Sequence, residues 1–209
     1  KIKKQVSTCL LKMEEKKMTS KEKIIKATLH LAANLGIKGT TTKKIAESAE
    51  VNETTVFKNF KCKDTLIHEA LQEETDKIKG EIDCFFSEII GTKRELIHKA
   101  SEFIMEIYEK YEDYMLITIK ELGSKELELV EPNIPEYLKE SVENKLDDLL
   151  TPKMTHKDSE AISYIVNSVI LFLAADKVKN KMYGHPKKDE VEIDYLADVL
   201  ERLLIIDER

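Results

Sequence analysis

VNETTVFKNF, residues 51–60, decides how this chain is read. Thr54, Thr55, Val56 and Phe57 in a row favour a strand by intrinsic preference. The apolar positions around them, Ile45, Ala46, Ala49, Val51, Val56 and Phe60, instead recur at the three- and four-residue spacing of helices. Two short helices joined by a tight turn satisfy both facts. Thr41 can cap the first, over about 42–49, and Asn52 the second, over about 53–60. A small Ala46 lets the two approach, and Ile45, Ala49, Val51, Val56 and Phe60 then close a shared core. The outer face of the second helix carries Thr54, Thr55, Lys58 and Asn59. That pattern is a helix-turn-helix, in which packing holds a segment of weak helix formers on a helical frame.

Outward from this motif nearly everything reads as helix, with Gly and Pro as widely spaced punctuation. Ser20 can cap a first helix over 21–35, with Ile24, Ala27, Thr28, Leu31 and Leu35 on one face and Gly36 at its end. Asp64 lies near the start of a long fourth helix, whose pattern runs through Leu66, Ala70, Leu71, Ile78, Ile82, Phe85, Phe86 and Ile89, with Gly80 as a place for a kink. Further helices are expected at about 92–109, 111–122, 135–150, 157–182 and 189–206. The expected fold is all-α: a three-helix head over residues 19–66, then a larger helical body over 67–209, about nine helices in all. Residues 1–18, rich in lysine, read as a disordered or upstream segment.

Charge divides along the same line. Residues 1–66 hold 15 lysines, no arginine and 7 carboxylates, a balance of +8; residues 67–209 hold 19 basic against 33 acidic residues, a balance of −14. A basic head on an acidic body points to an anionic partner for the head alone. Cys9, Cys62 and Cys84 are odd in number and lack metal-ligand spacing, which fits reduced thiols in a cytoplasm. The longest apolar run, residues 169–175, is far short of the ~20 residues that span a bilayer, so no membrane association is expected.

An enzyme reading has one foothold. Glu95-Leu-Ile-His98 is the E-x-x-H that di-iron bundles use twice, but no acidic residue stands three before His30, His68, His156 or His185. No glycine-rich phosphate loop, nucleophile elbow or CxxC pattern is present. Neither catalysis nor a cofactor or metal is expected.

Residues 23–66, KIIKATLHLAANLGIKGTTTKKIAESAEVNETTVFKNFKCKDTL, resemble the N-terminal domain of the TetR family of transcriptional regulators. Ile25, Ala27, Leu31 and Ala32 stand where that family's first helix packs, followed by Gly36, Thr40, Thr41, Ile45, Ala46, Ala49, Val51, Thr55, Val56, Phe57, Phe60, Lys63 and Leu66. The departures are Glu50 for the usual turn glycine, Thr54 for Gly or Pro, Phe57 for Tyr, and Asn59 for His or Tyr. A non-glycine residue at the turn costs on the order of 1 kcal/mol. Phe57 lacks the hydroxyl that in the family holds a phosphate, so that contact is lost or passes to Lys58 or Asn59.

The resemblance implies double-stranded DNA as partner, read at an inverted repeat by a homodimer that answers to a small effector, most often as a repressor. The alternatives are a DNA-binding regulator controlled by a protein partner and the helical metalloenzyme already weighed. Thr41 and Lys63 are the implied phosphate contacts, Thr41 also serving as a cap; Lys43, Lys44, Lys58 and Lys61 can add others. Thr54, Thr55 and Asn59 face base edges, while Glu53 either favours its helix N-terminus or accepts from cytosine.

In the body, Phe86, Phe103, Tyr108, Tyr111, Tyr114, Met115, Tyr164 and Asn167 form an aromatic, methionine-bearing set. It reads as ordinary core or as the lining of a pocket for a small apolar or amphipathic effector. The last two expected helices carry broad apolar faces, including Ile162, Ile165, Val166, Val169 and Leu173 on one and Leu196, Val199 and Leu203 on the other. These either close the monomer or, as the resemblance implies, pair with their copies across a two-fold axis.

Overall fold

The computed structural model describes residues 18–88, 91–150, 154–183 and 191–204. The lysine-rich leading segment apart from Met18, Ile89 and both ends of the last expected helix lie outside them. The described residues form ten helices and no strand: α1 (Ser20–Gly39), α2 (Thr42–Ser48), α3 (Glu53–Asn59), α4 (Lys63–Glu88), α5 (Lys93–Lys110), α6 (Glu112–Lys120), α7 (Lys125–Glu128), α8 (Ile134–Asp147), α9 (His156–Tyr183) and α10 (Ile193–Leu204). The one helix that patterning missed is α7, a single turn too short to show a period, capped by Ser124, whose hydroxyl accepts from Leu127 N.

Helix starts follow local chemistry closely. The cap of α1 is Thr19, not Ser20, because Glu22 stands three residues after Thr19. The Thr19 hydroxyl accepts from Glu22 N at 3.2 Å, and the Glu22 carboxylate accepts from Thr19 N at 2.6 Å. Thr92 and Glu95 close the start of α5 in the same way. Glu95 is therefore occupied as a cap, and His98 lies 3.6 Å from both Glu102 and Asp198, so the E-x-x-H pair belongs to helix packing. Among the described residues no group of three or more His, Cys, Asp or Glu side chains could hold a metal ion.

Gly36 interrupts α1 with φ +74° and ψ 163°, after which one more turn runs to Gly39. Gly80 does not kink α4; it lies exposed with open space around it, where glycine costs a helix only about 1 kcal/mol. At 26 residues α4 is roughly 39 Å long. It packs against α1 at one end and α8 at the other.

One apolar core runs from α1 to α10. Ile24, Ala33, Ile45, Val56, Phe60 and Leu66 sit at the head end; Ile78, Ile97, Ile104, Leu138, Val142, Val166 and Ile170 fill the body. α1 rests most extensively on α6, and α9 lies against α8 and α5. Helix α9 is, by length and composition, apolar enough to cross a membrane over His156–Asn180, although its uninterrupted apolar run is short. In this fold Val166, Asn167, Ile170 and Ala174 make its inward face against the body.

Candidate DNA-binding surface

The helix-turn-helix is assembled by the residues that patterning singled out. Ile45, Ala46, Ala49, Val56 and Phe60 are all buried, and burying a side chain the size of Val56 or Phe60 stabilises by about 1.5–3 kcal/mol. The turn closes through hydrogen bonds from Ala49 N to Ile45 O at 2.8 Å and from Val51 N to Ala46 O at 3.0 Å. Glu50 takes the left-handed conformation, φ 54°, at the position where the family has glycine. Asn52 stands at the start of α3 but makes no side-chain cap; its carbonyl accepts from Thr55 N at 2.8 Å. Core packing, rather than a cap, holds α3.

The N termini of α2 and α3 are drawn together. The Thr42 hydroxyl donates to Glu53 Oε1 at 2.7 Å across the two helix starts. Thr41 caps α2, its hydroxyl accepting from Lys44 N at 3.3 Å, and Lys44 Nζ donates to Gly39 O at 3.2 Å. Around this pair of helix ends Thr41, Lys43, Lys44, Thr54, Lys58 and Asn59 are exposed and Thr55 is half-buried. Asn59 Nδ2 donates back to Thr55 O at 2.8 Å. Lys63 begins α4, half-buried, beside exposed Lys61. Between them Cys62 is free and exposed, and the Thr65 hydroxyl 3.2 Å away holds its thiol below the usual range. The surface combines two helix N termini, ammonium groups and threonines, which is the chemistry of phosphate and base-edge contact.

Three connections fix this surface to the rest of the molecule. Lys21 of α1 bonds Glu73 at 2.7 Å and Glu69 at 3.4 Å on α4, and the Glu73 bond holds the ammonium above the usual lysine range. At the far end of α1, Lys120 Nζ donates to Ala33 O at 2.5 Å and Ile37 N donates to Glu121 Oε1 at 2.8 Å. His30 faces Asp113 at 3.2 Å. Sequence reading missed Thr42, Lys120 and Glu121 because each acts through a partner that periodicity does not reveal.

In the body, Phe86, Tyr108, Tyr111, Tyr114, Met115 and Asn167 are buried, with Phe103 partly so. Their polar atoms meet one another or nearby groups. Tyr108 OH donates to Asn167 Oδ1 at 3.3 Å and Asn167 Nδ2 to Pro135 O at 2.9 Å. The Thr75 hydroxyl donates to Tyr114 OH at 2.8 Å, and Tyr111 OH to Glu81 Oε1 at 2.6 Å. Burial pushes the Tyr108, Tyr111 and Tyr114 phenols up. Tyr164 does not join this set: it is 53% exposed on the outer side of α9, with Lys139 over its ring. Among the expected interface residues, Val166 points inward and is fully buried in the monomer, because it shares a face with Ile170. Ile165 and Leu203 are exposed, while Ile162, Val169, Leu173, Leu196 and Val199 are partly buried.

Comparison with known proteins agrees with this geometry. Residues 24–70 match the family described as bacterial regulatory proteins, tetR family. The chain is 43% identical over 61 residues to the uncharacterized HTH-type transcriptional regulator YvkB of Bacillus subtilis; the match covers 29% of this chain and 32% of that protein, about a third of its length. A TetR-like transcriptional regulator from Rhodococcus has a similar fold, with a TM-score of 0.65 at 19% identity over 91% of this chain and 96% of that one. So does the transcriptional regulator FadR from Bacillus subtilis, solved in complex with stearoyl-CoA, with a TM-score of 0.62 at 17% identity over 88% of this chain and 96% of that one. In its all-helical fold and in its turn geometry at residues 45–60, the chain is similar to bacterial regulatory proteins of the tetR family, the family that residues 24–70 match.

Proposed function

We propose that the protein is a DNA-binding transcriptional regulator, acting as a homodimeric repressor on an inverted-repeat operator in the cytoplasm. The observation that carries this is the joined N termini of α2 and α3, held by the Thr42–Glu53 bond among exposed cations. Residues 19–66 are the reading head and 67–209 the sensing and pairing body. Thr41, Lys43, Lys44, Lys58 and Lys63 meet phosphates; Thr54 and Thr55 meet base edges. If each protomer neutralises ~4 phosphates, affinity falls with a log–log salt slope near −7.

The pairing surface is the outer face of α9 with α10. Ile165 and Phe172, 76% exposed, line one helix; Tyr195 and Leu203, each 62% exposed, line the other. A second copy on this face removes that apolar surface from water, and it gives the long apolar α9 a covering that the monomer lacks. Two recognition helices related by a two-fold axis then lie about one DNA turn apart.

The effector is small and apolar or amphipathic and is taken up within the body, where the interior is aromatic and aliphatic; FadR with its bound stearoyl-CoA is the structural neighbour that supports this. An effector preferring the non-DNA state by ~100-fold supplies about 2.7 kcal/mol of coupling. A second reading is favoured by the Tyr108–Asn167 and Thr75–Tyr114 pairs, which satisfy interior polar groups without a ligand. It makes the body a fixed dimerisation unit controlled by a protein partner. Thermal shifts across acyl-CoAs and other amphipathic metabolites separate the two, since a true effector stabilises by mass action.

The decisive experiment is fluorescence anisotropy on the DNA flanking the protein's own gene, against a scrambled duplex, from low to physiological salt. Tight, salt-steep binding to one duplex supports the regulator reading. Weak and equal binding to both, together with no selective duplex from a random library, would sink it.

A further inference from the structure

We propose that α3 reads thymine through its 5-methyl group, with Phe57 as the reading residue, so that each half-site requires a thymine where Phe57 lands. This deepens the DNA-binding reading above and rests on it.

Besides Lys58, which could donate to guanine, two side chains on α3 suit hydrogen bonds to a base edge: Glu53, which could accept from cytosine, and Asn59, which could grip adenine. Both are engaged within the protein. Glu53 Oε1 accepts the Thr42 hydroxyl at 2.7 Å, tying together the starts of α2 and α3. Asn59 Nδ2 is turned onto Thr55 O at 2.8 Å, along its own helix. Either must break a bond that helps set the head before it can read a base.

Thr54, Phe57 and Lys58 are what α3 leaves open. Val56 marks the inward direction of the helix. At about 100° per residue, Thr54 and Lys58 lie within roughly 20° of the opposite side, and Phe57 flanks Thr54 at about 60°. Phe57 is 51% exposed on a surface otherwise made of threonine, lysine, asparagine and glutamate. Its ring can neither donate to a phosphate oxygen nor pair with a base edge. In a major groove it can take carbon surface away from water, and the thymine methyl is the apolar group displayed there. The Thr54 methyl beside it adds carbon to the same contact. Lys58 supplies attraction and can donate to guanine, which has no methyl, so it does not compete with Phe57 for thymine.

The test begins with duplexes that the wild-type protein enriches from a random-sequence library. Each enriched thymine is then replaced in turn by deoxyuridine, which removes the methyl and keeps the base pair. At one thymine per half-site the affinity is expected to fall about four-fold, the value for one methyl-sized group returned to water. Phe57→Ala, which removes the contact from both half-sites, should lose about sixteen-fold on the thymine duplex and nothing further on a duplex carrying deoxyuridine in both half-sites. Phe57→Tyr, which keeps the ring, should respond to deoxyuridine as the wild type does. Binding to scrambled DNA should be the same for the wild type and Phe57→Ala. A wild type indifferent to every deoxyuridine overturns the proposal without any mutation, and so does a Phe57→Ala variant that keeps the four-fold response. A library yielding no enriched duplex overturns the DNA-binding reading itself, and this proposal with it.

Discussion

Adding one methyl group at Gly36 should be among the most costly changes in the head. The residue sits at φ +74° and ψ 163°, a region that only glycine enters easily and that costs other residues about 1–3 kcal/mol. A Cβ there would lie 3.2 Å from Glu121 Oε1. That oxygen cannot simply retreat, because it accepts from Ile37 N at 2.8 Å. Losing this bond leaves a part-buried N–H unpaired, at roughly 1–3 kcal/mol. Alanine restricts the unfolded chain relative to glycine, which returns about 0.4–1 kcal/mol. Gly36→Ala should therefore destabilise by about 2–4 kcal/mol and lower Tm by on the order of 10 °C for a chain of this size. Thermal melts followed by circular dichroism measure it directly. In a Glu121→Ala background the same substitution should cost only the backbone share, about 1–2 kcal/mol. Gly36→Ala within ~0.5 kcal/mol of wild type would refute the backbone argument. An equal cost in both backgrounds would refute the part assigned to Glu121.

Lys63→Ala should weaken specific and non-specific DNA binding alike and make the dimer's salt slope shallower by about 2; an unchanged slope in salt-titrated anisotropy means that Lys63 does not touch phosphate. Glu50→Gly relieves a left-handed residue at the turn, so chemical denaturation should show a gain of about 0–1 kcal/mol, the relief partly cancelled by the freer unfolded chain; a loss above 1 kcal/mol would mean the Glu50 side chain holds the turn. Burial raises the Tyr108 phenol above its ordinary value of 10.0. The unfolded chain ionises first, so this contribution is whole below pH about 10 and is lost as pH rises toward the folded value. Phenolate absorbance from the buried tyrosines should appear together with loss of helix, and its full appearance beforehand would contradict the burial. Phe172→Glu combined with Leu203→Glu places charge on the exposed face of α9 and α10 and should give a monomer by light scattering; a dimer that survives puts the pairing surface elsewhere.

The helix-turn-helix was legible because its determinants are local. Ile45, Ala46, Ala49, Val56 and Phe60 lie within sixteen residues, and their spacing alone dictates which side is buried. Even the odd Glu50 could be placed, because it stands where the family that the sequence resembles has its turn glycine, and it takes the left-handed conformation. Capping was harder, because it turns on one hydrogen bond rather than on a pattern. Thr19 displaces Ser20 through Glu22, and Asn52 holds the right position without making the side-chain bond. In α9, apolar residues occupy so much of the circumference that periodicity cannot choose an inward face; hence Val166, expected on an outer face, is buried within the monomer, and Tyr164, expected in the aromatic set, is exposed. The Thr42–Glu53 and Ile37–Glu121 bonds join residues 11 and 84 positions apart, and nothing in the spacing of either partner announces the other.

Those long-range bonds bear on how the two ends of the molecule communicate. A three-helix head joined to its body only through the start of α4 could pivot about that helix. Here α1 is held at both ends: Lys21 grips Glu69 and Glu73 on α4, while Lys120 and Glu121 clasp the last turns of α1 beside Gly36. A sliding of α6 against α4 must then drag α1 or break the clasp. Gly36 lets the chain turn sharply enough to present Ile37 N to Glu121, and its own lack of a side chain keeps that carboxylate in place. The head's orientation is thus set by two supports on different body helices, and its angle changes only when their separation does. An effector that widened the space between α4 and α6 by a fraction of a helix diameter would act on α1 as on a lever, with α2 and α3 carried at its end.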